Sequence, residues 1–130
     1  MQIAAFVVAA LAAVLHVAIW RMESLTWRQP ATWRRFSVPS QSDADTLASM
    51  AFNQGFYNLF LAAEVALGIG LVATGHHRAG WSLILFGCAS MVAAAVVLRT
   101  GGRHYTRAAV TQGTLPLVAI GLVLLSSVAS

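Results

Sequence analysis

Two glutamates and a histidine lie within or beside long apolar stretches of this sequence, where an ionisable side chain is expensive. Glu23 follows His16 by seven residues, a spacing that places both side chains on one face of a helix, about two turns apart. Glu64 lies deep inside a second apolar stretch. Carboxylic acids and histidine in water-poor surroundings suit general acid–base chemistry. We therefore treat Glu64, Glu23 and His16 as candidate catalytic residues.

Amide and aromatic side chains accompany these three residues. An unpaired polar group in hydrocarbon costs several kcal/mol, so such side chains should face one another or a wet cavity. By depth, most of them fall in one half of the predicted bundle, together with His16, whereas Glu64 lies past the midplane. We expect them to bind a substrate in a common interior space. The candidate substrate-binding residues are Trp20, Asn53, Gln54, Tyr57, Asn58 and Gln112.

Each candidate also has a purely structural interpretation. Asn and Gln between membrane helices often serve as interhelical hydrogen-bonding groups, worth about 1 kcal/mol or less each. His16 can be a neutral histidine bonded to a carbonyl group. Glu23 can be an interfacial carboxylate paired with Arg21 or Arg28, and Glu64 can be a protonated, hydrogen-bonded acid.

Four apolar runs must position these residues. They cover about 2–22, 47–74, 80–99 and 107–128, and we expect residues 24–46 to lie along the cytoplasmic membrane surface. A helix of about 20 residues crosses a hydrocarbon core of about 30 Å. Hydrophobic residues make up 58% of the 130-residue chain and charged residues 9%, whereas soluble domains carry about 25% charged residues. The sequence predicts an all-α integral membrane four-helix bundle that occupies residues 1–130 as a single domain.

The basic residues predict orientation rather than nucleic-acid binding. All eight are arginines, and seven lie in the first and third connections: Arg21, Arg28, Arg34, Arg35, Arg99, Arg103 and Arg107. The positive-inside rule places these connections in the cytoplasm and both termini on the outer side. The lipid bilayer is therefore the expected partner. Asp43 or Asp45 is expected to cap the second helix, and Trp27 and Trp33 to lie in the interfacial aromatic belt.

We assign no metal, no cofactor and no disulfide. Cys88 is the one cysteine, so no internal disulfide can form, and it is interpreted as a small packing residue. His76 and His77 are adjacent, and neighbouring side chains on a helix diverge, which makes a poor metal site.

Three segments together form a family pattern. They are His16, Glu23, Trp27, Pro30 and Phe36; the block Ala51–Ala62, which contains Asn-Gln-Gly-Phe-Tyr-Asn; and Gln112, Gly113 and Pro116. This pattern resembles the small bacterial four-helix membrane proteins called domain of unknown function 1304, over essentially the whole chain. The resemblance implies a multi-pass protein of the bacterial inner membrane and no particular activity. Glu64 stands where a small residue is expected, and Leu59 where Gly is expected.

An enzyme is the first functional hypothesis. Protonation of an alkene or epoxide of an isoprenoid-like substrate needs an acid in a water-poor pocket, and isomerisation or cyclisation would follow. Glu64 or Glu23 would be the acid and His16 the base or orienting partner. Trp20, Tyr57 and Phe60 would stabilise a developing cation.

Two alternatives belong to other classes. A small proton-coupled exporter of apolar cations, acting as a homo-oligomer, would use Glu64 or Glu23 as its shared binding site. A non-catalytic membrane partner protein would need no chemistry. The polar groups lie in one half of the bilayer, which favours a pocket open to one side over a path across the membrane.

The arginine bias generates a topology prediction. A reporter enzyme that is active only outside the cytoplasm is expected to be active when fused after Ser130, because the fourth helix should run outward. A fusion at the same position to a reporter active only in the cytoplasm should be silent. The reverse result would contradict the predicted orientation.

Overall fold

Long helices account for most of the computed structural model, which describes residues 2–128 and the side chains of residues 2–126. The chain enters α1, continues into a π-helical turn at Arg21–Leu25, and then forms a short helix, α2, before three more long helices. Single 3-10 turns at Arg34–Phe36 and Arg103–Tyr105 precede α3 and α5. The α-helices are α1 (Gln2–Trp20), α2 (Pro30–Trp33), α3 (Gln41–Ala73), α4 (His77–Thr100) and α5 (Thr106–Val128).

Four helical segments of the described chain are long and apolar enough to cross a membrane. They are Gln2–Leu25, Gln41–Ala73, His77–Thr100 and Arg103–Ser126. This confirms the predicted all-α class with four apolar helices. Helices suit apolar surroundings because they satisfy their backbone hydrogen bonds within one segment. The side of the membrane that each terminus faces stays a prediction.

The four long helices form a ring in which each packs against two neighbours. α1 contacts α3 and α5, α4 contacts the same two helices, and α1 and α4 lie diagonally across the bundle. Residues 21–40 and 99–107 therefore meet at one end, which we call the basic end because it carries seven of the eight arginines. The turn at residues 74–76 lies at the opposite end.

Small side chains allow the helices to approach closely. Ala9, Ala12, Ala62, Cys88 and Ala119 are fully or almost fully buried in the main core. In a bilayer the lipid tails are as apolar as the protein, so association depends on close packing, which small residues permit. Cys88 is a free, buried thiol, as its interpretation as a packing residue requires.

The first connection folds against α3 at the basic end. Trp27 Nε1 donates to the Ala44 carbonyl oxygen at 2.7 Å, and Trp33 Nε1 donates to Gln41 Oε1 at 3.1 Å. Both tryptophans are buried, in a second core cluster with Ala44 and Ala51. Each indole N–H thus finds a protein partner on α3, and the place of the two tryptophans in the interfacial belt stays a prediction.

The start of α3 differs from its prediction. The helix begins at Gln41 rather than near residue 47, so residues 41–46 are helical and not part of the interfacial connection. Ser40 is the N-cap: its hydroxyl accepts from the Asp43 backbone N–H at 3.1 Å and also donates to the Asp43 carboxylate. Asp45 instead forms an ion pair with Arg28, at 2.7 Å. Assigning the cap to an aspartate was wrong, because the Ser-x-x-Asp spacing lets Ser40 fill that position.

Close packing of α3 on α4 generates a stability prediction. A Cβ on Gly68 would lie 2.8 Å from the Gly80 carbonyl oxygen and 2.9 Å from Ile84 Cγ1, whereas a Cβ on Gly70 would meet nothing within 4 Å. Gly68→Ala should therefore lower the free energy of unfolding by about 1–3 kcal/mol. Gly70→Ala, on the same helix, is the matched control and should not destabilise. Unfolding in detergent micelles measures both, and equal stabilities would contradict the packing.

Candidate functional site

Glu23 lies in the π-helical turn that ends the first long apolar helix. The turn spans Arg21–Leu25, and the Thr26 backbone N–H closes it by donating to the Arg21 carbonyl oxygen at 3.1 Å. A π-turn contains one residue more than an α-turn, so it rotates the side chains that follow and often occurs at functional sites. The half-buried Glu23 side chain is thereby directed at α3 rather than along the α1 surface.

The carboxyl group of Glu23 is held by a neutral amide. Asn58 Nδ2 donates to Glu23 Oε2 at 2.8 Å and also to the Gln54 carbonyl oxygen at 3.1 Å. The expected alternative, an ion pair of Glu23 with Arg21 or Arg28, is wrong. Arg28 instead forms an ion pair with Asp45, and no ion pair of Glu23 occurs among the described residues. Glu23 thus has a hydrogen-bond donor on one oxygen and no neighbouring positive charge bonded to it.

Gly55 leaves the space that lets the π-turn approach α3 and Glu23 reach Asn58. A Cβ at Gly55 would collide with Ser24 Oγ and would lie 3.1 Å from Glu23 Cβ. Ser24 Oγ in turn donates to the Phe52 carbonyl oxygen at 2.9 Å, which ties the π-turn to α3. In the sequence this glycine belongs to the Asn-Gln-Gly-Phe-Tyr-Asn block, from which no role for it was predicted. The signal in the sequence was a glycine inside a long apolar helix, where small residues mark close approach of another backbone.

His16 is completely buried on the inner face of α1. Its Nδ1 donates to the Ala12 carbonyl oxygen at 2.9 Å, as the structural interpretation of a carbonyl-bonded histidine expects. Within the described residues, His16 Nε2 and Trp20 Nε1 are buried without a hydrogen-bond partner. With Nδ1 protonated, Nε2 of a neutral imidazole is an acceptor. The Trp20 ring packs edge-on against Phe56, with centroids 6.1 Å apart.

A cavity of about 890 Å³ opens beside Glu23 at the basic end. Its apolar wall includes Leu15 and Ile19 of α1, Met22 of the π-turn, Met50 of α3 and Leu98 of α4. A smaller cavity of about 490 Å³ is lined by residues of the π-turn, the segment that follows it and α3, and Glu23 lines both cavities. The larger volume is in the range of small-molecule binding pockets.

Polar and basic side chains complete the larger cavity. Gln54 and Gln112 lie in its wall with Glu23. Pro116 lacks an N–H group, so the Gln112 carbonyl oxygen cannot accept the usual helical bond from residue 116. From the sequence, the arginines among the surrounding basic residues were expected to set orientation and to touch anionic lipid, and nothing in it placed them at a cavity. These basic lining residues are Arg34, Arg35, His104 and Arg107.

The structure brings together part of the predicted site. Glu23, Gln54 and Gln112 share the cavity, and Asn58 supports Glu23. His16 and Trp20 lie deeper on α1 and are not among the cavity-lining residues. The catalytic and binding roles of all these residues stay predictions.

The remaining candidates lie elsewhere on α3. Asn53 is exposed and Tyr57 is 56% exposed, both on the outer surface of the helix. Successive residues are rotated by about 100°, so these two lie on a stripe beside that of Gln54 and Asn58. Glu64 packs toward α4, where a Cβ on Gly87 would lie 3.6 Å from its carboxyl carbon. Asn53 and Tyr57 therefore lie outside the space that Gln54 and Gln112 share, and Glu64, which was predicted past the midplane, lies outside it as well.

Comparisons with known proteins identify one family. The family model described as "Protein of unknown function (DUF1304)" matches residues 10–124. No curated protein and no solved structure matches the chain. Among the described residues, no group of three or more His, Cys, Asp and Glu side chains is placed to hold a metal ion.

The two asparagines of the Asn-Gln-Gly-Phe-Tyr-Asn block provide a matched test of the site. Asn58→Ala removes the donor to Glu23 and should lower the free energy of unfolding by about 1–3 kcal/mol, because the half-buried carboxyl loses its partner. Asn53→Ala removes an exposed side chain and should change it by less than about 0.5 kcal/mol. Unfolding in detergent micelles compares the two, and equal losses would refute the assigned contact.

Proposed function

The chain belongs to the DUF1304 family of proteins of unknown function, and we propose that it is a membrane enzyme that performs acid–base chemistry on an apolar, isoprenoid-like substrate. The reaction class is isomerisation or cyclisation, begun by protonation of an alkene or an epoxide. One observation carries the proposal: the Glu23 carboxyl group, held by Asn58, lies in the wall of a largely apolar cavity of about 890 Å³.

Glu23 is the proposed proton donor. Asn58 donates to Oε2, so Oε2 acts as an acceptor and the transferable proton resides on Oε1. Transfer of that proton to a substrate alkene carbon, or to an epoxide oxygen, breaks the O–H bond and leaves a substrate cation. Loss of a proton from a neighbouring carbon, directly or after ring closure by a second alkene, returns a proton to the Glu23 carboxylate. The atoms balance without a co-reactant.

The surrounding residues supply position and orientation. The π-turn and its bond from Ser24 to α3 fix the direction of Glu23, and Gly55 allows the two backbones to approach. Gln54 and Gln112 are the proposed contacts to a polar atom of the substrate. His16 lies about two helical turns from Glu23 and outside the cavity lining, so we propose that its orienting role is indirect and that it positions the end of the first helix that carries Glu23.

Glu64 receives no catalytic role in this proposal. It lies beside Gly87 of α4, outside the group of residues that line the cavity. Its position provides a second half-buried carboxyl group with which Glu23 can be compared directly.

The charge of the cavity disfavours the exporter of apolar cations. Three arginines line the cavity against one glutamate, so a cation entering there would meet like charge; the substrate cation of the proposed reaction forms only after entry, beside the carboxylate that Glu23 becomes when it loses its proton. A non-catalytic membrane partner is the alternative that the following experiment separates from an enzyme.

Proton transfer can be followed without a known product. The protein in membranes is incubated in D₂O with terpenoid alkenes and epoxides, and deuterium incorporation and ring opening are measured by mass spectrometry. General acid catalysis contributes about 10²–10⁴-fold, so Glu23→Gln should lower the rate by at least about 100-fold while the protein still assembles. Glu64→Gln, the matched control, should retain the rate within about twofold.

His16→Ala tests the orienting role in the same assay. Loss of an orienting partner should lower the rate by about tenfold, a smaller effect than removal of the acid. If Glu23→Gln and His16→Ala both proceed at the wild-type rate, the acid–base proposal is refuted and the polar groups hold the helices together.

A further inference from the structure

Three arginines from separate parts of the chain meet at the larger cavity. Arg34 and Arg35 belong to the 3-10 turn after α2, and Arg107 lies in the first turn of α5. All three are exposed enough to move their guanidinium groups toward a ligand. Arg34 also lies over the Trp33 ring, with the guanidinium carbon 5.2 Å from the ring centroid. None of the three forms an ion pair with another described residue.

The acidic residues of the described chain do not balance this charge. Asp45 is paired with Arg28, and Asp43 interacts with Ser40 at the start of α3. Glu64 packs toward α4, and Glu23 receives its hydrogen bond from Asn58. Glu23 is the one acidic residue that lines the cavity, so the arginines there exceed the carboxyl groups by two (three minus one). We call Arg34, Arg35 and Arg107 the rim of the cavity. A rim with this excess of positive charge attracts an anionic ligand.

The rim continues directly into an apolar wall. Leu15 and Ile19 of α1, Met50 of α3 and Leu98 of α4 line the same cavity as the arginines. A volume of about 890 Å³ exceeds the requirement of an inorganic anion and suits a molecule of small-ligand size. Arginine forms bidentate hydrogen bonds with phosphate and carboxylate, so the rim and the wall together match a molecule with one anionic end and one apolar chain.

We infer that Arg34, Arg35 and Arg107 bind the phosphate or carboxylate head group of a single-chain amphiphile, whose chain lies along the apolar wall toward Glu23. As a statement about the substrate, this inference rests on the proposed function: it gives the isoprenoid-like substrate an anionic end and places its chain beside the acid. The head group anchors the molecule at the basic end, and the chain enters the bundle.

Binding to the purified full-length chain tests the inference. In neutral detergent micelles, native mass spectrometry counts bound dodecyl phosphate, with dodecanol and inorganic phosphate as probes of the chain and the head group alone. One dodecyl phosphate should bind per chain, and the other two probes should bind at least tenfold more weakly. Added salt should weaken the binding of dodecyl phosphate, because charge attraction is screened.

Charge-matched variants show whether the named arginines are responsible. Arg107→Gln, and the double replacement Arg34→Gln with Arg35→Gln, should each weaken dodecyl phosphate binding by roughly tenfold or more. For the single replacement, Arg103→Gln removes one charge from the same end but outside the cavity lining; for the double replacement, Arg103→Gln combined with Arg78→Gln removes two charges outside that lining. Both controls should bind as the wild type does. An equal loss in Arg103→Gln would show non-specific attraction and overturn the inference.

Two further experiments complete the test. One distinguishes a membrane lipid from a single-chain amphiphile as the source of the head group, and the other distinguishes failure of this inference from failure of the proposed function. Phosphatidylglycerol is added in competition; if it is retained through the same arginines and excludes dodecyl phosphate, the site is a lipid head-group contact and the single-chain assignment is wrong. Equal binding of dodecanol would also overturn it. Glu23→Gln should keep dodecyl phosphate binding. If Glu23→Gln leaves turnover unchanged, the proposed function is refuted. If dodecyl phosphate binding persists in the same variant, the anion site is still supported.

Discussion

Asn58 of α3 and Glu23 of the π-helical turn meet at 2.8 Å, and the arrangement of the basic end depends on this contact. A carboxyl group in surroundings this apolar needs a hydrogen-bond partner, because an unsatisfied polar group there is costly. The partner is reached because the π-turn directs Glu23 at α3 and because Gly55 leaves room for Ser24. A single contact thus connects the end of α1, the middle of α3 and the wall of the cavity.

Close helix packing and a cavity occupy different parts of the same bundle. Away from the basic end, alanines and glycines bring the helices together, as at Gly68, where the Gly80 carbonyl oxygen approaches the missing Cβ position. At the basic end, longer side chains such as Met22 and Met50 line open space. The change follows from side-chain size, because small residues permit contact between backbones and large ones hold the helices apart.

The arginines at the basic end have two physical consequences. Their number sets the expected orientation in the bilayer, because basic residues are retained on the cytoplasmic side. Their positions on separate segments also place Arg34, Arg35 and Arg107 around one cavity. Arg28, by contrast, is neutralised by Asp45 and stabilises the start of α3 against the first connection. The same residue type therefore contributes to orientation, to local structure and to the proposed anion site.

The amino-acid sequence by itself determined the class of the protein, its four apolar helices and its family. Those follow from the length of the apolar runs and from a local motif, and a bilayer leaves few alternatives to helices. Tertiary structure decided which polar residues share a site. Asn53 and Asn58 belong to one motif, and Glu23 and Glu64 each suit an acid, yet Asn58 and Glu23 meet while Asn53 is exposed and Glu64 packs toward α4. The rotation of α3 about its axis makes that choice, and it depends on the π-turn and on contacts between residues distant in sequence.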